Sequence, residues 1–311
     1  MNIFRKGRLA IGLVAVGAVV ALAGCSQADP TAPETNAGGG DSSQIIVGSF
    51  AFPESEIIGE IYAQALKAKG FDVQTKFNIG PRQQTIPALQ DGSINLIPEY
   101  NGNLLAYYDT EFTQRTTEDV DAALTDAVAK DNLTVYNSAE AEDKDAYVVT
   151  QAYAQANGLT SIGDLSKVGP FSLGANPQFA ELGYGIPGLK SVYGVNDVTF
   201  VPYEDFGGPD TVKALTDNTV QVADIYTTSP ALVAENLQVL EDPENLIAAQ
   251  NVLPLLAKSI DTPELKDALD AISAKLTTDD LIKLRDRVEG SEQASASTAA
   301  ADWLKEAGLS S

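Results

Sequence analysis

The chain has 311 residues with 43 acidic and 20 basic side chains, so its formal net charge is −23 at pH 7. Such an excess of negative charge argues against nucleic acid as a partner. The chain contains no histidine and a single cysteine, which excludes Ser-His-Asp and Cys-His catalysis, imidazole-bound metals and intrachain disulfides. We therefore expect a protein that is not an enzyme and that carries no cofactor and no metal.

The first 25 residues have the pattern of a secretory signal. Three cations within residues 5–8 precede the apolar run Leu9–Ala21, which is shorter than the ~20 residues that a transmembrane helix needs. The motif LAGC follows, ends at Cys25 and resembles the lipobox of bacterial lipoproteins. This resemblance implies a signal peptide over residues 1–24 and a lipid on Cys25. The alternative is an ordinary secretory signal with a stray cysteine.

A short polar segment separates this signal from the folded part of the chain. Residues 26–43 are small, polar and rich in Pro and Gly, which predicts a flexible tether after the lipidated cysteine. No later run is long and apolar enough to span a bilayer. We therefore expect an extracytoplasmic protein that is anchored to the cell membrane only through Cys25.

The folded part begins with a strand, a helix and a second strand. Residues 44–49 are rich in β-branched side chains and predict the first strand. From Pro53 to about Lys69 the apolar residues recur on one helical face. Pro53 suits the start of that helix and Gly70 suits its end. Residues 71–77 predict the second strand.

The next stretch occurs twice, at an offset of 126 residues. Residues 85–102 read TIPALQDGSINLIPEYNG, and residues 211–228 read TVKALTDNTVQVADIYTT. Each copy contains the end of a helix, a turn marked by Asp-Gly or Asp-Asn, a short β-branched strand and a tyrosine, which is Tyr100 or Tyr226. Strands alternating with helices predict a parallel sheet in each of two similar α/β lobes.

The repeat makes Tyr100 and Tyr226 candidate ligand-binding residues. Ligands of open α/β sheets bind beyond the carboxyl ends of the strands, and both tyrosines follow a predicted strand at that end. The alternative for each is a half-buried tyrosine that serves only the core.

The remaining elements predict that the chain crosses between the lobes twice. After a helix at 118–131 and a strand at 133–136, the crossings are predicted at 146–150 and 252–257. Lobe I would then comprise residues 44–146 plus 252–311, and lobe II residues 147–251. The last predicted elements should pack back on lobe I, and they are helices at 263–276 and 279–288, a polar segment at 290–301 and a short helix around Trp303.

Four stretches carry a family resemblance, which covers about residues 45–309. They are residues 47–62, the ALQDGSINLIPEYNGNLL stretch, residues 174–194 with GIPGLKSVYG, and residues 214–228. Together they look like the substrate-binding proteins of osmoprotectant ABC importers. The resemblance implies a type II periplasmic-binding-protein fold, with two lobes, a hinge of two crossing strands and a ligand cleft between the lobes. It also implies delivery of a small quaternary amine or zwitterion to an ABC transporter permease.

The resemblance further implies an aromatic cage around a quaternary ammonium group, since such cations are attracted to ring faces. Carried over by position, its members are Tyr100, Tyr147 and Tyr226, whereas a fourth aromatic residue expected near Asn251 is missing. The polar candidates at or beside the matched positions are Asn101, Asn176, Thr227 and Asn251.

Two departures bear on the ligand. Phe50 and Leu182 stand where betaine-binding relatives often have a lysine and an arginine, so a ligand carboxylate would lack its usual partners. Phe50 would then serve as a cage wall, or it is only a packed residue at the edge of a lobe. The sequence thus predicts a receptor for a glycine betaine-like or choline-like osmolyte. The alternatives are an ergothioneine-like or amino-acid-like solute, and an enzyme on the same fold.

Overall fold

Two five-stranded sheets organise residues 44–310, the part of the chain that this computed structural model describes. The predicted signal peptide, Cys25 and the tether lie outside these residues. The strands of the first sheet, which defines lobe I, are β1 Ile45–Gly48, β2 Val73–Lys76, β3 Leu96–Tyr100, β4 Leu133–Val135 and β10 Val252–Ala257. The strands of the second sheet, which defines lobe II, are β5 Tyr147–Thr150, β6 Phe171–Ala175, β7 Val198–Pro202, β8 Val222–Asp224 and β9 Leu237–Val239.

The two sheets have the same topology. Their strand orders are β2-β1-β3-β10-β4 and β7-β6-β8-β5-β9. In each sheet three parallel strands are followed by an antiparallel strand that enters directly after a crossing between the lobes. The offset of 126 residues places β1, β2 and β3 on β6, β7 and β8. This arrangement is the predicted two-lobe periplasmic-binding-protein fold of type II, and the prediction is confirmed.

Eleven helices cover these sheets within residues 44–310. Lobe I carries α1 Pro53–Ala68, α2 Arg82–Gln90, α3 Asn101–Tyr108, α4 Thr117–Ala129, α9 Pro263–Ser273, α10 Thr278–Glu289 and α11 Ala296–Glu306. Lobe II carries α5 Gln151–Asn157, α6 Ile186–Tyr193, α7 Pro209–Thr216 and α8 Ala231–Ala234. None of these helices combines the length and the apolar character that crossing a membrane requires.

The C-terminal helices belong to the core of lobe I. Leu265, Leu281 and Trp303 are buried in one apolar cluster with Ile57 and Ile61 of α1. The prediction that these helices pack back on the first lobe is therefore confirmed. Their packing fixes α1, whose first turn forms part of the site described below.

The last helix corrects the sequence analysis. A polar segment was predicted up to Ala301, with a short helix only around Trp303, but α11 already begins at Ala296. Ser295 caps it, since its side-chain oxygen accepts a hydrogen bond from the backbone N–H of Thr298 at 3.1 Å. Residues 299–301 are alanines, which have the highest helix propensity of all residues.

The two chain segments that cross between the lobes pair with each other. The backbone N–H of Ala139 donates to the carbonyl of Val252 at 2.7 Å, and that of Asp143 donates to Gln250 at 3.1 Å. The predicted crossing strands at 146–150 and 252–257 lie just beyond this pairing and belong to the sheets as β5 and β10. The crossings thus form a hydrogen-bonded hinge at residues 139–143 and 250–252.

A close backbone contact near this hinge gives a first prediction. A Cβ on Gly102 would lie 2.2 Å from the carbonyl oxygen of Ala249, so a larger residue has to displace backbone. We expect Gly102→Ala to lower the free energy of unfolding by about 1–3 kcal/mol, measured by urea denaturation. Gly169→Ala is the control, because a Cβ there meets no atom within 4 Å. Equal stability of the two variants would contradict this contact.

Candidate functional site

A cleft of about 1180 Å³ lies between residues of both lobes. Tyr100 ends β3 in lobe I, and Tyr226 stands two residues beyond β8 in lobe II, as the repeat requires. Both line the cleft, together with Phe50. The structure therefore brings three of the residues singled out from the sequence to one cavity, whose size is ample for a small solute.

Three aromatic rings form a row on the lobe I side of the cleft, which we call the lobe I aromatic row. Phe50 and Phe52 stack with ring centroids 5.5 Å apart and planes 7° apart. Phe52 then lies 6.2 Å from Tyr100, with the rings tilted by 31°. Phe52 is 38% exposed and was missed in the sequence analysis. Its signal was the FAF spacing directly before Pro53, which presents two rings from one irregular segment.

Lobe II contributes a second aromatic residue that was missed. Phe206 lines the cleft and is 49% exposed, and its backbone φ is 51°. A bulky residue in this left-handed region is strained, and strain of this kind clusters at binding sites. Gly207 follows with φ 76°, so the turn depends on neighbouring glycines. The sequence signal for this site residue was an aromatic side chain followed by two glycines, Phe206-Gly207-Gly208.

A buried carboxyl lies behind the lobe I aromatic row. Glu54, in the first turn of α1, is only 2% exposed although it lines the cleft. The Tyr100 hydroxyl donates to its Oε1 at 2.6 Å. Its Oε2 accepts no hydrogen bond from any described residue, and Nη1 of Arg285 lies 4.0 Å away. Burial and then the neighbouring Asp143 raise the pKa of Glu54 from 4.5 to about 8.

A polar chain beside Glu54 links the two lobes. Arg285 of α10 donates from Nη1 to the hydroxyl of Thr228 in lobe II at 2.9 Å. That hydroxyl donates in turn to Oδ1 of Asp143, in the hinge, at 2.7 Å. Burial raises the pKa of Asp143, opposed by the hydrogen bond from Thr228 and the charge of Arg285. Within residues 44–310 no three acidic side chains are placed to hold a metal ion.

Both arginines of the cleft have carboxylate partners. Arg82 binds Glu99 through two parallel hydrogen bonds of 2.8 and 2.7 Å, and its Cζ lies 5.4 Å from the ring centroid of Phe50. Arg285 makes the same two-pronged contact with Glu289, at 2.9 and 3.1 Å. Such paired contacts hold the guanidinium groups in fixed orientations.

Two of the sequence-predicted site residues lie inside lobe II instead. Tyr147 is 0% exposed, and its hydroxyl donates to the backbone carbonyl of Tyr184 at 2.7 Å. Asn176 is buried, and its side-chain oxygen accepts from the N–H of Phe179 at 3.2 Å, which caps a short helical turn. Neither residue lines the cleft, and as ligand contacts both remain predictions from family resemblance.

Three others support the hinge. Asn101 accepts a hydrogen bond from the backbone N–H of Asn251 at 2.8 Å, and Asn251 donates to the carbonyl of Ala139 at 3.0 Å. Thr227 donates to the carbonyl of Glu142 at 2.8 Å. These side chains join the crossing segments and do not line the cleft. As ligand contacts all three remain predictions from family resemblance.

A cleft between two lobes of this topology, walled by aromatic rings, is the architecture of a type II solute-binding protein. Residues 43–306 match the family described as the substrate binding domain of ABC-type glycine betaine transport system. The chain belongs to that family. The resemblance stated from the sequence is thereby confirmed.

Several known proteins are similar to this chain. The glycine betaine-binding protein YehZ of Escherichia coli strain K12 is 26% identical over 280 residues, which are 86% of this chain and 92% of that protein. The structure of apo YehZ has a TM-score of 0.72 and covers 86% of this chain and 99% of its own. A crystal structure described as a glycine betaine/carnitine/choline ABC transporter matches in fold, with 22% identity and a TM-score of 0.78, over 86% of this chain and 100% of its own.

The raised pKa of Glu54 predicts how stability depends on pH. An unfolded chain loses this proton near pH 4.5, whereas the folded protein keeps it until about pH 8. Glu54 therefore makes the free energy of unfolding fall as pH rises through this window, by at most about 1.4 kcal/mol per pH unit. Glu54→Gln should remove this contribution and leave a flatter dependence in denaturation measured at pH 5, 6.5 and 8.

The control for this experiment is Glu56→Gln. Glu56 lies in the same helical turn but does not line the cleft. Its variant should keep the pH dependence of the wild type. If Glu54→Gln also keeps that dependence, the buried carboxyl is already ionised in the folded protein and the assigned direction is wrong.

Proposed function

We propose that this protein captures a small quaternary ammonium solute in the cleft and delivers it to the permease of an ABC importer. The observation that supports this is the convergence of aromatic side chains from both lobes on one cavity. They are Phe50, Phe52 and Tyr100 from lobe I, and Phe206 and Tyr226 from lobe II. Ring faces attract cations, and their carbon surfaces suit N-methyl groups, which cannot donate conventional hydrogen bonds.

The relatives support the same class of solute. YehZ is described as binding glycine betaine, and the structural neighbour is described as a glycine betaine/carnitine/choline transporter. Transfer of these solutes to the present chain is our proposal and rests on the shared family together with the aromatic cleft. A cleft that closes about the hinge at 139–143 and 250–252 would place both aromatic walls on one ligand.

A second candidate is a bulkier solute of ergothioneine-like or amino-acid-like chemistry. The cleft volume of about 1180 Å³ favours it, as does the burial of Tyr147 away from the cleft. Thermal-shift measurements with choline, glycine betaine, carnitine, ergothioneine and amino acids distinguish the two candidates, because a ligand raises apparent stability by mass action.

We also propose that the chain is a lipoprotein held at the outer side of the cell membrane through Cys25. The lipobox and the short apolar run before it support this location. Several acyl chains on one residue would provide a stable anchor, whereas a single acyl chain would not. Such an anchor would keep the solute-binding part of the chain close to the membrane, where the permease partner lies.

Replacement of the anchoring residue tests this location. Cys25→Ser should move the protein from the membrane fraction to the soluble extracytoplasmic fraction, as detected by immunoblotting of fractionated cells. Ligand affinity should be unchanged, because Cys25 precedes the residues that line the cleft. A Ser variant that is still processed and still sediments with membranes would contradict lipid anchoring.

The two tyrosines that line the cleft, one from each lobe, give the sharpest test of the cage. A desolvated cation–π contact is worth about 2 kcal/mol, or some thirtyfold in affinity. Tyr100→Ala and Tyr226→Ala should each weaken binding of the ligand found by thermal shift by about that factor in titration calorimetry. Tyr226→Phe, which keeps the ring, should cost less.

Tyr153→Ala is the matched control, because Tyr153 lies in α5 and does not line the cleft. It should bind the ligand as the wild type does. Wild-type affinity in either cleft variant would remove that tyrosine from the cage. Wild-type affinity in both would contradict the proposed ligand site.

A further inference from the structure

The carboxyl of Glu54 has a hydrogen-bonding position that the protein does not fill. One oxygen accepts from Tyr100 at 2.6 Å, while the other accepts no hydrogen bond from any described residue. An unsatisfied buried acceptor is costly, and native proteins rarely keep one without a reason. Because Glu54 lines the cleft, a donor group on a bound solute could fill this position.

The charges around Glu54 do not favour an anionic group in the cleft. The guanidinium groups of Arg82 and Arg285 are each held by a carboxylate, Glu99 and Glu289 respectively. Arg285 comes no nearer than 4.0 Å to Glu54, and it reaches Asp143 only through the hydroxyl of Thr228. Over its whole lining the cleft has seven acidic and only three basic residues, so a negative ligand group meets repulsion on entering.

These observations concern the polar end of the solute, and they rest on the proposed function for its cationic end. We propose that Glu54 is a specificity-determining residue that selects cations whose polar end donates a hydrogen bond over zwitterions that end in a carboxylate. A hydroxyl-bearing quaternary ammonium such as choline has both features, since its methyl groups face the rings while its hydroxyl donates to Glu54. Above about pH 8, where Glu54 is ionised, a betaine carboxylate offers only acceptors to a carboxylate that can only accept.

The groups that face Glu54 come from four parts of the fold. Tyr100 of β3 donates to it, Asp143 of the hinge repels it, and Arg285 of α10 attracts it. The hydroxyl of Thr228 in lobe II also faces it, but its proton is donated to Asp143. A cation that donates to Glu54 stabilises the ionised form further, so its binding should release a proton below about pH 8. Release is detected as a binding enthalpy that varies with the ionisation enthalpy of the buffer.

The test compares three ligands that share the trimethylammonium group. Choline carries a hydroxyl, ethyltrimethylammonium lacks it, and glycine betaine carries a carboxylate. With the purified full-length protein at pH 9, where Glu54 is ionised, choline should bind about tenfold or more tightly than each of the other two, which is the usual effect of a hydrogen bond to a charged group. Glu54→Gln should reduce choline affinity by about the same factor.

The variant also reports on its own folding. Glu54→Gln should bind glycine betaine as well as the wild type or more tightly, which an unfolded protein cannot do. Glu56→Gln, from the same turn of α1, should preserve the order of the three ligands.

Two results would overturn the inference while the proposed function stands. One is glycine betaine binding to the wild type at least as tightly as choline. The other is an equal loss of affinity for all three ligands in Glu54→Gln. If the wild type binds none of the three, the proposed quaternary ammonium function fails, and this inference fails with it.

Discussion

Burial of the apolar face of α1 is the interaction on which both the core of lobe I and the wall of the cleft depend. Ile57 and Ile61 are fully buried among the C-terminal helices, and each such side chain contributes about 1.5–3 kcal/mol. A helix anchored along its length cannot tilt freely at its first turn. Glu54 and the preceding Phe52 are therefore held in place by residues that come more than 200 positions later in the chain.

This arrangement explains why a buried ionisable group is tolerated beside the aromatic rings of the cleft. A carboxyl removed from water is normally neutralised or paired. At Glu54 the protein combines a tyrosine donor, a raised pKa and a distant guanidinium. None of these features alone replaces the hydration that the carboxyl loses on burial. Together they hold Glu54 in place at the wall of the cleft. The aromatic rings in front of it limit access by water.

Much of the fold followed from local signals in the sequence. The offset of 126 residues identified equivalent strands in the two lobes. Buried parallel strands are rich in β-branched residues, so equivalent strands are recognisable as similar runs in the sequence. The start of α1 followed from Pro53 and the periodic apolar residues after it. The early start of α11 did not, because a polar segment rich in alanine and serine reads equally well as a loop. The capping hydrogen bond to the Ser295 side chain distinguishes a helix from a loop here, and this bond is seen only in the structure.

The site was less accessible from sequence, for a physical reason. Tyr100 and Tyr226 were predicted because a repeat carries positions into equivalent places at strand ends, and both line the cleft. Phe206 and Glu54 have no repeat partner of like chemistry, since Gly80 and Ala180 occupy the corresponding positions. Tyr147 and Asn251 were placed by resemblance alone, and resemblance conveys position along the chain without the direction of the side chain. Packing against residues that are distant in the sequence decides whether a side chain points into the cleft or into the interior of a lobe.

The hydrogen bond from Arg285 to Thr228 joins the lobes through the protein's own side chains. Because this bond would break if the lobes moved apart, it would favour arrangements in which the lobes are near. A measured affinity is the intrinsic affinity multiplied by the fraction of molecules in the competent arrangement. Residues that never touch the solute thus enter its dissociation constant, and the importer's sensitivity can evolve at this bond while the aromatic walls stay unchanged.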